Sequence, residues 1–250
     1  STTTPLYSSE VTFSQTGGYF QNGFTLEISS AYHNAEIYYT DDGTEPDFNS
    51  RIFESALRID ETTFIKARSY EPGKLLGPVT THTYLVDEKK SELPVVSMVA
   101  DPFILWDDEY GIYTNSYKRR EVPVDMTYFH VGGEVGFQLN AGIRIGGLNI
   151  WQFPQKPLTV YIRERYGFDA LNNRMFPSKQ IGIYNRLVLR NGGDNWGNAM
   201  LRDAMTESII AGQMENGCQA YKPCVLYLNG SYWGIHNIRE RFDSQYMYQN

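Results

Sequence analysis

The sequence predicts two domains: an all-β sandwich over residues 1–87, then an α+β lobe over residues 93–250 with an antiparallel sheet and one principal helix. Three observations predict this. Residues 6–86 alternate short apolar-polar runs with turn signals, and no segment there has helical period. The charged, glycine-free stretch Asp87-Glu88-Lys89-Lys90-Ser91-Glu92 marks a boundary. Residues 185–203, NRLVLRNGGDNWGNAMLRD, run from a short apolar strand through a glycine turn into an amphipathic pattern.

At 250 residues, with 41% hydrophobic and 20% charged side chains, the chain is long and apolar enough to bury a core. Its formal charge of -7 argues against a nucleic-acid partner, which would want a basic face. Lys118-Arg119-Arg120 is the one basic cluster, and Glu121 follows at once, so it reads as a solvated loop. No apolar run approaches the ~20 residues that span a bilayer, so no transmembrane segment is expected in this chain. The opening Ser1-Thr2-Thr3-Thr4-Pro5 lacks an initiator Met, which reads as a trimmed chain without its targeting segment. With 19 Tyr against 13 Phe in an acidic chain, an extracytoplasmic location is expected.

Two cysteines, Cys218 and Cys224, are close enough for a disulfide in an oxidising compartment, and equally read as free thiols. His33, His82, His130 and His236 have no ligand spacing, which argues against zinc.

In the first domain, residues 24–28, 36–40, 63–67 and 80–86 alternate as strands. Turns fall at Gly17-Gly18, Asp42-Gly43, Pro46-Asp47 and Pro72-Gly73. Asp41, Asp42, Glu45 and Asp47 offer oxygen ligands without the EF-hand order, so a polar turn is favoured over calcium. The run Tyr38-Tyr39-Thr40-Asp41-Asp42-Gly43-Thr44-Glu45-Pro46, with the later Ile65-Lys66-Ala67-Arg68, resembles the chitobiase/β-hexosaminidase C-terminal type of Ig-like module over most of residues 18–86. Such modules resemble spacers on secreted enzymes, and the resemblance implies no catalysis. Tyr32, Tyr38 or Tyr70 on one face is a candidate for stacking on sugar rings, though half-buried strand tyrosines explain them better.

In the second domain, residues 93–99 read as a strand, and Asp101-Pro102 as the N-cap and first residue of a short helix through Trp106. Residues 122–130, 136–147 and 158–163 read as further strands. Between the last two lies Gly146-Gly147-Leu148-Asn149-Ile150-Trp151-Gln152-Phe153-Pro154-Gln155-Lys156. A glycine turn between two strands followed by a lysine is how protein kinases cover and grip ATP phosphates; a long hairpin with a surface lysine also fits. After Leu187-Val188-Leu189 and the turn 191–195, a helix is expected with Asn198 as N-cap and Met200, Leu201, Ala204, Met205 and Ile209 on one apolar face, ending at Gly212. The strand, glycine turn and helix can meet an anion, but no Walker lysine follows, and a tight connection is the plainer reading. Asn229-Gly230 between two apolar runs predicts a type I′ hairpin; Asn229-Gly230-Ser231 also matches a glycosylation sequon. Residues 238–241 are expected to continue the second strand, and Asp243 to cap a final helix.

Four stretches in order resemble the CotH kinase-like family over residues 93–250. They are Leu93-Pro94-Val95-Val96-Ser97 with residues 105–113; Gly142-Ile143-Arg144-Ile145 through Lys156 to Tyr166-Gly167; Leu189-Arg190-Asn191-Gly192-Gly193-Asp194-Asn195-Trp196 with Leu201-Arg202-Asp203-Ala204; and Leu228-Asn229-Gly230-Ser231-Tyr232-Trp233-Gly234-Ile235 with Arg239-Glu240-Arg241-Phe242-Asp243. The resemblance implies a lobe like the N-lobe of an atypical protein kinase, with ATP and magnesium as cofactors of the complete domain for phosphoryl transfer to protein serine, neither expected to bind tightly to this chain. It implies that Lys156 grips phosphates, that Gly146 and Gly147 lie over the nucleotide, that Glu240 holds Lys156, and that Arg202 and Asp203 begin the helix behind the site. Ile150-Trp151 replaces the family's Ser-Arg and offers no phosphate donor. The family's catalytic and metal-holding aspartates have no counterpart here, so no catalytic residue and no metal ligand is expected within this chain. The pattern that stops at Asn250 leads us to expect a fragment, whose partner is a further lobe or another protein. A non-catalytic surface-binding or scaffold protein, associated with an extracellular protein or a polysaccharide, is the alternative.

Overall fold

The computed structural model describes residues 6–147, 153–195, 197–199, 201–211, 213 and 217–249. Ile150, Trp151, Met200 and Gly212, which carry expectations above, lie outside them.

The first module holds β1 (Val11–Phe13), β2 (Gly18–Phe20), β3 (Phe24–Leu26), β4 (Ile28–Ser30), β5 (Glu36–Thr40), β6 (Arg51–Ile52), β7 (Leu57–Ile59), β8 (Thr63–Tyr70) and β9 (Thr80–Val86). A five-stranded sheet runs β2-β9-β8-β5-β6, and β1-β4 and β3-β7 form two-stranded ladders. Residues 24–28, expected as one strand, divide: Phe24–Leu26 pairs with β7, and Ile28–Ser30 pairs with β1. Leu26, Ile28, Ile37, Ile65 and Tyr84 are among the residues that close the core between these ladders. The acidic turn is taken up by the protein itself. Asp42 accepts from the Thr44 backbone and hydroxyl, Asp47 accepts from the Asn49 backbone, and Asp41 pairs with Arg51. The candidate stacking tyrosines do not form a flat plate. Tyr38 is buried and edge-on to Phe48, which is edge-on to Tyr70.

The second module holds β10 (Val95–Val99), α1 (Pro102–Trp106), β11 (Val122–Phe129), β12 (Val135–Ile145), β13 (Leu158–Tyr161), the ribbon β14 (Leu171–Asn172) and β15 (Ile183–Tyr184), β16 (Arg186–Arg190), α2 (Arg202–Ile210), β17 (Tyr221–Leu228), β18 (Ser231–Arg239) and α3 (Ser244–Gln249). The expectation was an antiparallel sheet with one principal helix. The strands close into a seven-stranded barrel, β10-β11-β12-β13-β16-β18-β17. The closing ladder, β10 on β17, is parallel. The reason lies in β10, where Val95, Val96, Ser97, Met98 and Val99 are all buried. A strand apolar on both faces is unsuited to a solvated edge, and closure removes the edge. Alternate residues such as Met98, Met126, Ile143, Val160, Leu189, Ile238 and Leu226 fill the barrel.

Local expectations at the turns hold. Asp101 Oδ1 accepts from Phe103 N at 2.8 Å and caps α1. Asn229 and Gly230 have φ of 46° and 73°, as a type I′ turn requires. Asp243 Oδ1 accepts from Tyr246 N at 3.2 Å at the start of α3. Both cysteines are free, and Cys224 is buried inside the barrel.

The first module does more than space. Leu85 packs with the outward-facing Val95, Phe129, Val225 and Tyr227 of the barrel. Thr83 and Ser97 share a hydroxyl contact of 2.7 Å, and Thr81 donates to Asp125 at 2.8 Å. Lys66, with a side chain 3% exposed, reaches Asp125 at 3.1 Å and Glu45 at 2.6 Å. Asn229 at the hairpin tip accepts from Ala100 N and donates to Ala100 O. Gly43 lies so close to Ala100 O that a Cβ there would collide with it, which ties the Asp42-Gly43 turn to the barrel.

His236 sits inside the barrel, fully buried, where burial pushes its imidazole down to about 4. Its Nδ1 lies 3.2 Å from the Gln155 amide nitrogen and its Nε2 3.4 Å from the Lys156 carbonyl. An acceptor at Nδ1 and a donor at Nε2 define one neutral tautomer. The folded pKa lies below the unfolded value near 6.5, so this stability is present above that value and is lost as pH falls towards 4. We expect the ring to remain neutral at pH 5.5 and the protein to lose up to about 3 kcal/mol between pH 7 and 4 from this group. Nitrogen-detected NMR of the imidazole checks it; a charged ring at pH 5.5 contradicts it.

Candidate phosphate-binding groove

Strand β16 is written Arg186-Leu187-Val188-Leu189-Arg190. The period of two sends Leu187 and Leu189 into the barrel and both arginines to its outer face. On β18 the same alternation buries Ile238 inside and turns Arg239 outward. Helix α2 crosses this outer face. Its apolar residues do not hold it: Leu201, Met205 and Ile209 are exposed, and only Ala204 is buried. Asp203 and Glu207, one turn apart, hold it instead. Asp203 lies 2.7 Å from Arg190 Nε and 2.9 Å from Arg239 Nη1, and Glu207 lies 2.6 Å from Arg239 Nη2. The expected apolar helix face is thus corrected: buried guanidinium charge orients the helix, with its carboxylates inward. The helix begins at Arg202, not after Asn198.

In front of these arginines lies a cavity of about 280 Å³, lined by Gly146, Gly147, Thr159, Val188, Arg190, Arg239, Glu240, Arg241 and Phe242. A neighbouring cavity of about 320 Å³ shares Gly146, Gly147, Thr159 and Arg241, and adds Arg119, Arg144 and Ile145. Gly147 has φ of 84°, and a Cβ on Gly146 would crowd the Thr159 hydroxyl at 3.3 Å, so both positions suit glycine. Arg239 is 1% exposed, yet its Nε makes no hydrogen bond, and Nη2 meets Glu207 without a hydrogen-bonding angle. Guanidinium groups and a glycine turn wall this groove, with Asp203, Glu207 and Glu240 offsetting part of their charge; such a donor set suits an oxyanion. A larger cleft of about 970 Å³ lies beside Cys218 and Tyr246. Its two lysines are engaged: Lys179 pairs with Glu240 at 2.6 Å, and Lys222 lies 5.2 Å over the Tyr128 ring.

Of the residues singled out in the sequence, Gly146, Gly147 and Glu240 line the first cavity, and Lys156 and Arg202 do not. Lys156 is buried at one end of the barrel, where burial lowers its ammonium and Nζ donates to the Phe153 carbonyl at 2.9 Å. Its carbonyl lies 3.4 Å from His236 Nε2. Among the described residues, no ion pair joins Lys156 to Glu240. Glu240 pairs with Lys179, accepts from Ala220 N at 2.8 Å, and follows β18, which ends at Arg239 rather than continuing to 241. Arg202 is exposed at the first position of α2. The sequence reading missed Arg190 and Arg239 as site residues. The alternation in Arg186-Leu187-Val188-Leu189-Arg190 was the signal that could have found Arg190.

Among the described residues, no helix is long and apolar enough to cross a membrane. A search of curated proteins finds no match. Two family models match separate parts of the chain: the Fn3 associated family over residues 26–84, and the CotH kinase protein family over residues 143–250. The chain thus joins an N-terminal Ig-like module to a region that matches the CotH kinase protein family.

Proposed function

We propose that the second module captures the phosphates of a nucleotide such as ATP in the groove beneath Gly146 and Gly147. The observation that carries this reading is the 2.7 Å ion pair between Arg190 on β16 and Asp203 on α2. In protein kinases a glycine turn covers the phosphates, the third strand carries the basic residue, and the following helix carries its carboxylate partner. The order here is parallel. The segment after β12 opens with Gly146-Gly147, β13 follows, β16 pairs with β13, and α2 comes next. In this reading Arg190 and Asp203 take the roles that the family resemblance assigned to Lys156 and Glu240.

The residues fit the phosphates. Arginine presents a planar fork of donors to phosphate oxygens, and Arg190, Arg239 and Arg241 converge on one cavity. Arg239 Nε is a buried donor still without a hydrogen-bond partner. Bound ATP would supply the transferable phosphoryl group. The reading stops at nucleotide capture, and magnesium and protein-serine transfer enter only through the CotH likeness. An extracytoplasmic location belongs to the same proposal and rests on the acidic, tyrosine-rich composition.

Calorimetric titration of ATP into the chain tests this. Binding is expected, and Arg190→Ala should weaken it at least about tenfold, or ~1.4 kcal/mol. No heat at millimolar ATP, or equal affinity in the variant, overturns the reading.

A further inference from the structure

We propose that Arg119, Arg144 and Arg241 form a second oxyanion site, which takes a phosphate or sulfate group other than the nucleotide's. What sets these three apart is which arginines already have a carboxylate partner. On this side of the barrel Arg163 and Arg165 pair with Glu121, Arg186 with Asp243, and Arg190 and Arg239 with Asp203. Among the described residues, no carboxylate lies within ion-pair distance of Arg119, Arg144 or Arg241. Yet these three line one cavity of about 320 Å³. In a chain of formal charge -7, three unpaired guanidinium groups around one concavity make a local potential opposite to that of the whole molecule.

The three come from separate parts of the chain. Arg119 follows a turn of 3-10 helix in the left-handed conformation, φ 50°. Arg144 stands near the end of β12, its guanidinium 5.1 Å over the buried Tyr161 ring, which fixes its direction. Arg241 follows β18. The Thr159 hydroxyl on the shared wall adds a neutral donor. Guanidinium forks pair bidentately with phosphate and sulfate oxygens, and three of them around one cavity suit a group that carries more than one charge. The cavity abuts the nucleotide groove but does not depend on it, because Arg119 and Arg144 line this cavity alone.

Calorimetry with pyrophosphate, inorganic phosphate, sulfate and phosphoserine tests the site on the whole chain. Pyrophosphate should bind, and Arg119→Gln/Arg144→Gln should weaken it at least about tenfold while ATP affinity changes less than about threefold. Arg119→Lys/Arg144→Lys, which keeps the charge, should retain part of the pyrophosphate affinity and guards against a folding defect. Phosphoserine binding as well as phosphate points to an ester ligand; phosphate and sulfate alone point to the free ion, and either supports the site. No pyrophosphate binding, or equal binding by the Gln variant, overturns it. If ATP fails to bind while pyrophosphate still depends on Arg119 and Arg144, the nucleotide reading falls and this site stands.

Discussion

Asp203→Ala is expected to destabilise the protein by about 3 kcal/mol and to weaken ATP binding with it. Arg239 is 1% exposed, and a buried guanidinium left without its partner is costly. Asp203 answers both this charge and Arg190. Without it, Glu207 alone faces Arg239, and among the described residues α2 loses two of the three ion pairs that join it to β16 and β18. The estimate sits at the low end of the range for broken buried pairs because Glu207 remains and Asp203 is itself 27% exposed. For a chain of this length that is a fall of roughly 6–12 °C in Tm. Asp203→Asn, which keeps a hydrogen-bond acceptor, should lose less. A thermal melt of Asp203→Ala within 2 °C (about 0.5 kcal/mol) of the parent would contradict the role given to this pair.

Asp125→Ala is expected to cost a similar ~3 kcal/mol, at the contact between the two modules. It leaves the Lys66 ammonium, 3% exposed, with only Glu45, which is 63% exposed and screened by water. Burial alone would lower the Lys66 pKa, but Asp125 and Glu45 together outweigh it and hold it above the usual lysine value. A raised folded pKa means the contribution is complete below the unfolded value near 10.4 and fades only as pH rises beyond it. The loss should therefore be fully visible at pH 7. Denaturant unfolding at pH 7 measures it. An unchanged midpoint would mean that the modules hold together through Leu85, Phe129 and their neighbours alone.

Much of the backbone was legible because its signals are local. Asn229-Gly230 names its own turn, Asp101-Pro102 its own helix start, and alternation marks strands such as Val122–Phe129. Closure was not legible. The parallel pairing of β10 with β17 joins residues about 130 apart, and no local pattern encodes it. The doubly buried Val95–Val99 was its only hint. The helix face was misread for a physical reason. Leu201, Met205 and Ile209 repeat with helical period, but so do Asp203 and Glu207, and the arginines opposite decided which stripe turned inward. The glycine turn was found in sequence. A basic residue beside it was sought at Lys156, just before the next strand, because chain proximity is visible in a sequence; the sheet order that sets Arg190 beside the turn is not.

The most direct test is hydrogen–deuterium exchange with and without saturating ATP. The account predicts slowed exchange confined to residues 145–147, 187–191 and 239–242, around the groove that Arg190 and Asp203 build. Protection centred instead on the Cys218–Tyr246 cleft, or no change anywhere, would contradict it.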